Sequence, residues 1–404
     1  MTSPSNIAKL TVLGTPGYVR EPERFDVHEL IAAIGDNSGN LVFQHAVGRL
    51  VDAELRYVGH SEGGYDDSSL RYCSSYMVFP AANHLRLGAD WNALCGFFEV
   101  AELPLIVLGL GAQSPRQEGE LGTIEALKQD PSVGRLVAIL RERAAFISVR
   151  GAYSAQACEA LGLPEVEVLG CPSAMINPAP ALGQSMQAAF RALRDRSTPA
   201  RMALAAAAPF EIYLARDKAR LKLEQKLFAW ASKSDGLYVQ QSGGREAFLL
   251  SAGRGDELTE REVGFLRRAI APKMSAGAFS SFMRLRGRFF LSAPEWFEAL
   301  KTQDVVLGTR IHGVMAAIAA GVPAALIAHD SRTAELAETM KIPVVSAAEV
   351  QAAPSAEAAV AKVRFDAAAF DQWRRNAASR YVAALNRLEL SPSAHLLALA
   401  APHA

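Results

Sequence analysis

The sequence predicts an α/β protein built from two doubly wound, Rossmann-like halves that face each other across a cleft. Three observations carry this. Short apolar, β-branched runs alternate with helical stretches along most of the 404 residues. The alternation is interrupted once, in the proline-bearing stretch 177–200 with Pro178, Pro180 and Pro199, and then resumes. Near the end, 304–332 reads as strand, sharp turn, helix and second strand, with its polar residues confined to the turn. The expected organisation is an N-terminal α/β domain over 1–190, a C-terminal α/β domain over 200–350, and a helical tail over 355–404.

In the first half, 9–14 is the opening strand and 28–34 a short helix. The sequence GDNSGN at 35–40 introduces an apolar helical segment, 41–51. Asn37, Ser38 and Asn40 are N-cap residue types, and Gly39 lets the backbone come close to a ligand. Strands follow at 54–58, 75–80 and 105–108. The last runs into the glycine-rich turn GLGAQSP, where Gln113 and Ser114 are candidate site residues, although the glycine spacing fits neither a dinucleotide fingerprint nor a P-loop. Asp66 and Asp67 are adjacent and read as a solvated loop. A helix is expected at 134–143 and a strand at 146–149, which ends in Arg150.

In the second half, 201–207 and 236–241 are strand-like, 213–232 and 260–270 helical, 288–291 a strand and 293–300 a helix. Arg284, Arg286 and Arg288 alternate as on a solvated strand edge. The run 304–307 is a buried strand broken by Gly308. The small apolar residues of 311–320 form a helix buried on most sides, capped at Gly321 with Pro323 beyond it. Thr309, Arg310 and His312 therefore stand at a strand-to-helix turn. In an open parallel sheet this is the ligand edge, and a cation and an imidazole beside free helix N–H groups make an anion site. A strand at 342–345 and helix over 355–390 complete the chain.

Lys plus Arg and Asp plus Glu number 42 each, so there is no basic excess of the kind that nucleic acid attracts, and an anion site must be local. Half the residues are hydrophobic, yet no apolar run reaches the ~20 residues of a membrane span. The N-terminus lacks a signal-peptide pattern, and Cys73, Cys95, Cys158 and Cys171 are scattered without a C-x-x-C pair, as in a reduced cytoplasmic protein. No metal-ligand cluster is visible.

The ordered set Arg310, His312, Gly313, Gly321, Pro323, Asp330 and Arg332 resembles the C-terminal signature of the polysaccharide pyruvyltransferase family. The stretch 149–173, a strand ending in Arg150 and then a helix, Leu-Gly and a strand, resembles that family's central block, with Gly151 where the family usually has an acidic residue. The loop 37–40 is similar to the family's Asn-x-Gly-Asp loop, with Asn40 in place of the aspartate and extra residues before it. The resemblance implies a GT-B-like fold. It also implies transfer of the enolpyruvyl group of phosphoenolpyruvate to a sugar, oligosaccharide or lipid-linked glycan, forming a pyruvate ketal, with no cofactor. His312 would be general acid or base. Arg310, Arg150, Thr309 and Gly313 would bind the donor, and Asn37, Gly39, Asn40 and Gln113 would line the acceptor side. A lipid-linked acceptor would bring the protein to the inner face of the membrane. Two other readings fit the residues: a nucleotide-sugar glycosyltransferase whose basic turn holds a diphosphate, and a non-catalytic glycan-binding or assembly subunit.

Overall fold

The computed structural model describes residues 7–59, 73–113, 119–163, 165–196, 200–208, 216–328 and 331–401. Two six-stranded, wholly parallel sheets form its two halves. The first contains β1 (Lys9–Leu13), β2 (Glu54–Val58), β3 (Tyr76–Pro80), β4 (Leu105–Leu110), β5 (Ala144–Val149) and β6 (Glu167–Val168), in the order β2-β1-β3-β4-β5-β6. The second contains β7 (Met202–Ala205), β8 (Tyr238–Val239), β9 (Gly287–Arg288), β10 (Val305–Gly308), β11 (Ala324–Ala328) and β12 (Val344–Ser346), in the order β12-β11-β10-β7-β8-β9. The strand order reverses between β1 and β3 in one sheet and between β7 and β10 in the other. At such a reversal the following loops diverge and leave a crevice at the carboxyl ends of the strands.

Side-chain alternation along the strands divides the core. Met77, Phe79, Leu105, Val107, Ile147 and Val149 point to one face of the first sheet and form a core of that half alone. Leu10, Val12, Val78, Ile106, Leu108 and Phe146 point to the other face and belong to an apolar cluster that continues into the second half. The two halves therefore share one hydrophobic interior, which helix Gly39–Leu50 and the C-terminal helices carry across.

The proline-bearing stretch 177–200 holds a helix, Leu182–Arg194. Its prolines lie only at the margins, and the buried Leu182, Met186 and Phe190 recur at four-residue spacing between them. The alternating arginines are also placed differently. Arg284 and Arg286 lie on helix Ala276–Arg286 and only Arg288 is in a strand, so the three share no strand face. The C-terminal helical region divides into Ala356–Val360 and Ala367–Arg387.

Helix Ala367–Arg387 returns to the first half. Tyr381 Oη lies 3.3 Å from Ser148 Oγ on β5, and Arg380 and Arg387 pair with Glu167 on β6. The same helix fastens the segment that links the halves. Arg374 is fully buried and donates to the carbonyls of Ala174, Asn177 and Ala179. Burial lowers its pKa to about 10, against the opposing charge of Asp371. Asp371 accepts from the Gly183 and Gln184 amides and so caps helix Leu182–Arg194 from another element.

Arg374→Leu strands the buried Ala174 carbonyl and removes the donor from the less buried carbonyls of Asn177 and Ala179. Equilibrium denaturant unfolding should show a loss of ~3 kcal/mol or more, with Arg374→Lys recovering only part of it. Unchanged stability in the leucine variant would refute this role for Arg374.

Candidate active site

The turn after β10 is held from below. Gly308 packs so closely on β7 that a Cβ there would lie 2.5 Å from Ala205 Cβ. Thr309 is buried, and its hydroxyl donates to Glu224 Oε1 at 2.5 Å. The other Glu224 oxygen accepts from the Ala207 amide beyond β7 at 3.3 Å. One buried carboxylate thus ties the ends of β7 and β10 together at the reversal point. Arg310 is half-buried, donates from Nη2 to Ser242 Oγ at 2.6 Å, and reaches the cleft. His312 is 7% exposed and lies one layer behind the cleft surface. Its Nε2 is 3.6 Å from Cys171 Sγ, its ring centroid is 5.1 Å from that of Phe43, and Phe43 lines the cleft.

The first half meets this turn through the loop before helix Gly39–Leu50. Asn37 Oδ1 accepts from the Gly39 amide at 2.9 Å, and Asn40 Nδ2 donates to the Ile34 carbonyl at 3.0 Å. The Ser38 amide crosses to the second half and donates to the Gln241 carbonyl at 2.9 Å. A Cβ on Gly39 would lie 2.8 Å from Gln241 Oε1 and 3.0 Å from His312 Cβ, and one on Gly313 would lie 2.7 Å from Gln241 Nε2. Both glycines are therefore required by close approach. The residues inserted after β1 contribute a second seam, in which the Val19 amide donates to the Leu291 carbonyl and the Ala293 amide to the Gly17 carbonyl.

The cleft has a volume of about 610 Å³ and brings Asn37, Asn40, Gln113 and Arg310 together with Thr15, Gln44, Asn83, His84, Arg86 and Trp91. Arg150 is placed differently from the expected donor ligand. It is 3% exposed and donates from Nε to the Gly109 carbonyl and from Nη1 to Asn83 Oδ1 at 2.7 Å, so in this structure it holds the cleft residue Asn83 from behind. Asn83 in turn donates to Gln113 Oε1 at 3.2 Å. Thr309 and Gly313 are likewise buried beneath the surface. Ser114, Asp330, Asp66 and Asp67 lie outside the described residues, as does the side chain of Arg332.

Gly151, the departure from the acidic pattern, has a structural counterpart. Glu335 of the second half occupies the space of the absent side chain, and a Cβ at Gly151 would lie 2.3 Å from Glu335 Cγ. Its carboxylate accepts from the Ser154 amide at 2.9 Å, so the start of helix Ala152–Ala160 is capped from across the seam. Burial raises the Glu335 pKa, against its bonds to Ser154 and the Arg150 charge.

Glu224, Gln241, Ser242, His84 and Trp91 were not read as site residues. Glu224 carried a signal: it is the one acid in the buried stripe Leu223, Leu227, Phe228 and Ala231 of helix Lys218–Lys233. Among the described residues no group of three or more His, Cys, Asp or Glu side chains is placed to hold a metal ion, and no helix is long and apolar enough to cross a membrane.

Burial raises the Glu224 pKa above 4.5, against the Thr309 and Ala207 hydrogen bonds and the charges of Arg220 and Arg310. The native state then holds a proton that the unfolded chain has released. The corresponding stability is full below the ordinary value and is lost as pH rises through the raised one. Glu224→Gln removes this loss, so its melting temperature relative to wild type should climb through that window and then level off. A difference between the two proteins that is independent of pH would sink the assignment.

Comparison with known proteins gives one family. The model of the polysaccharide pyruvyl transferase family matches residues 42–331. No curated protein matches the chain. Two solved structures are similar in outline. UDP-N-acetylglucosamine 2-epimerase from Rickettsia bellii has 13% identity over 95% of this chain and 99% of that one, with a TM-score of 0.35. Anabaena Alr3699/HepE in complex with UDP and glucose has 12% identity over 92% and 100%, with a TM-score of 0.37. With most of its length matched, the Arg310–His312 turn included, the chain belongs to the polysaccharide pyruvyl transferase family.

Proposed function

We propose that the protein transfers the enolpyruvyl group of phosphoenolpyruvate to two hydroxyls of a sugar, forming a pyruvate ketal and releasing inorganic phosphate. The observation that carries this reading is the family's Arg-x-His-Gly turn standing at the strand-order reversal of the second sheet, with its arginine in the cleft. A first sugar hydroxyl adds to C2 of the donor while its methylene carbon takes a proton, giving a methyl group and a phosphorylated ketal. A second hydroxyl then replaces phosphate at C2. The addition needs a proton donor and a base, and the charges need fixed cations.

Arg310 is placed to bind the donor's phosphate or carboxylate through its planar fork, with Ser242 and the Glu224 network holding its direction. Thr309 serves through the Glu224 bond, and Gly313 by letting the helix start approach Gln241. His312 exchanges the proton, which its place behind Phe43 makes dependent on a small opening of the cleft wall. Arg150 acts through Asn83, which it holds in the cleft wall beside Gln113. Asn37, Asn40 and Gln113 face the acceptor, with Gly39 supporting them. The chemistry calls for no redox cofactor.

Incubation with phosphoenolpyruvate and candidate glycans should give phosphate release matched by pyruvate gain on the glycan, read by mass. Turnover of sugar nucleotides instead would establish a glycosyltransferase, and glycan binding with neither turnover a binding subunit. His312→Asn should lower kcat by ~10²–10⁴-fold with donor binding largely kept. Arg310→Lys should raise the KM for phosphoenolpyruvate by ~10-fold or more, and inorganic phosphate should compete with the donor. If both variants melt earlier yet keep full activity per folded molecule, the two residues serve only the fold.

A further inference from the structure

We propose that the wall formed by His84, Arg86 and Trp91 is an acceptor subsite that reads an oxyanion carried by the glycan, either a uronate carboxylate or the diphosphate of a lipid-linked sugar. Calling it the acceptor side rests on the pyruvyltransferase reading; the oxyanion specificity rests on the wall itself.

After β3 the chain turns back over the strand end and stacks its side chains in a row. The His84 ring lies between Phe79, 4.7 Å away and edge-on, and Trp91, 4.6 Å away and tilted. The Arg86 guanidinium carbon stands 5.2 Å from the Trp91 ring centroid. Stacking fixes the plane of a guanidinium while leaving its N–H edge open to an anion. Arg86 is exposed, and among the described residues it has no acidic partner.

His84 is not a second cation. Its Nδ1 accepts the Ala82 amide at 2.9 Å, so the neutral ring carries its proton on Nε2. Burial, reinforced by the Arg150 charge, holds its pKa near 3. Among the described residues lining the cleft, the permanent cations are Arg86 and Arg310, one from each half. The same lining holds one carboxylate, Asp36, and the neutral amides of Asn37, Asn40, Gln44, Asn83 and Gln113, which suit sugar hydroxyls. The Trp91 indole N–H is buried with no acceptor among the described residues. A neutral sugar would use the amides and the rings but leave an unpaired, stacked arginine without a counterpart. An acidic glycan uses all three.

The test is calorimetric binding by the full-length chain without donor, at low and high salt. The probes are cellotetraose, a tetrasaccharide of alternating glucose and glucuronate, and glucosyl-diphospho-farnesol. At least one charged probe should bind ~10-fold or more tighter than cellotetraose at low salt, with the advantage shrinking at high salt. Which charged probe it is identifies the source of the oxyanion. Arg86→Gln should abolish the advantage and Arg86→Lys should keep part of it, with melting temperatures confirming that both fold. Equal binding of neutral and charged probes would overturn the proposal. So would a loss of phosphoenolpyruvate affinity in Arg86→Gln, which would place Arg86 in the donor site. Phosphoenolpyruvate binding and phosphate release by the wild-type protein test the pyruvyltransferase reading separately. If that reading fails, the comparison of charged with neutral saccharides still decides the oxyanion subsite.

Discussion

The close crossing of the two halves at Gly39, Gln241, His312 and Gly313 is the constraint on which the site depends. Here a loop from the first half and a helix start from the second lie within van der Waals contact, with Gln241 filling the gap between two glycines. The Ser38 amide supplies the cross-seam hydrogen bond. Any side chain at Gly39 or Gly313 would have to displace buried atoms, and close-packed interiors yield little space. Because the crossing is tight, a turn of the second sheet and a loop of the first can share one cleft. The pairing of Arg310 with Asn37 and Asn40 across 610 Å³ of open space follows from it.

The alternation of strands and helices was legible because many elements end near a glycine or proline, and because parallel strands buried on both faces read as apolar runs. The turn at 309–313 was legible for the same reason: its polar residues had nowhere else to be. Sheet order was not legible, since it depends on pairings far apart in the chain. Helix Leu182–Arg194 was hidden by the prolines on either side of it. Arg150 illustrates a subtler limit. Its place at a strand end is right, but whether such a side chain enters the cleft or supports it is decided by Asn83 and Gly109, about forty to seventy positions away. His84 and Trp91 form part of the cleft only because the loop after β3 folds back on Phe79.

Glu335 shows how a missing residue type can be replaced in space. The acid absent beside Arg150 is supplied by a helix of the other half, where it caps the first turn of helix Ala152–Ala160 and lies within the field of the same arginine. A motif compared position by position registers a loss at Gly151. The electrostatic surroundings of Arg150 nevertheless retain a carboxylate.

The path of the chain between the halves has a mechanical meaning. The backbone passes from the first half to the second through 174–182, and it returns before helix Ala367–Arg387, which packs on β5 and β6. Two lobes joined by a single strand can swing and twist freely. Two lobes joined by two strands behave like a door on two hinges, with the easiest rotation about the line through both. Arg374 clamps the outgoing strand to the returning helix, so that the two pivots form one rigid post. Any rotation of one half against the other would turn about that post.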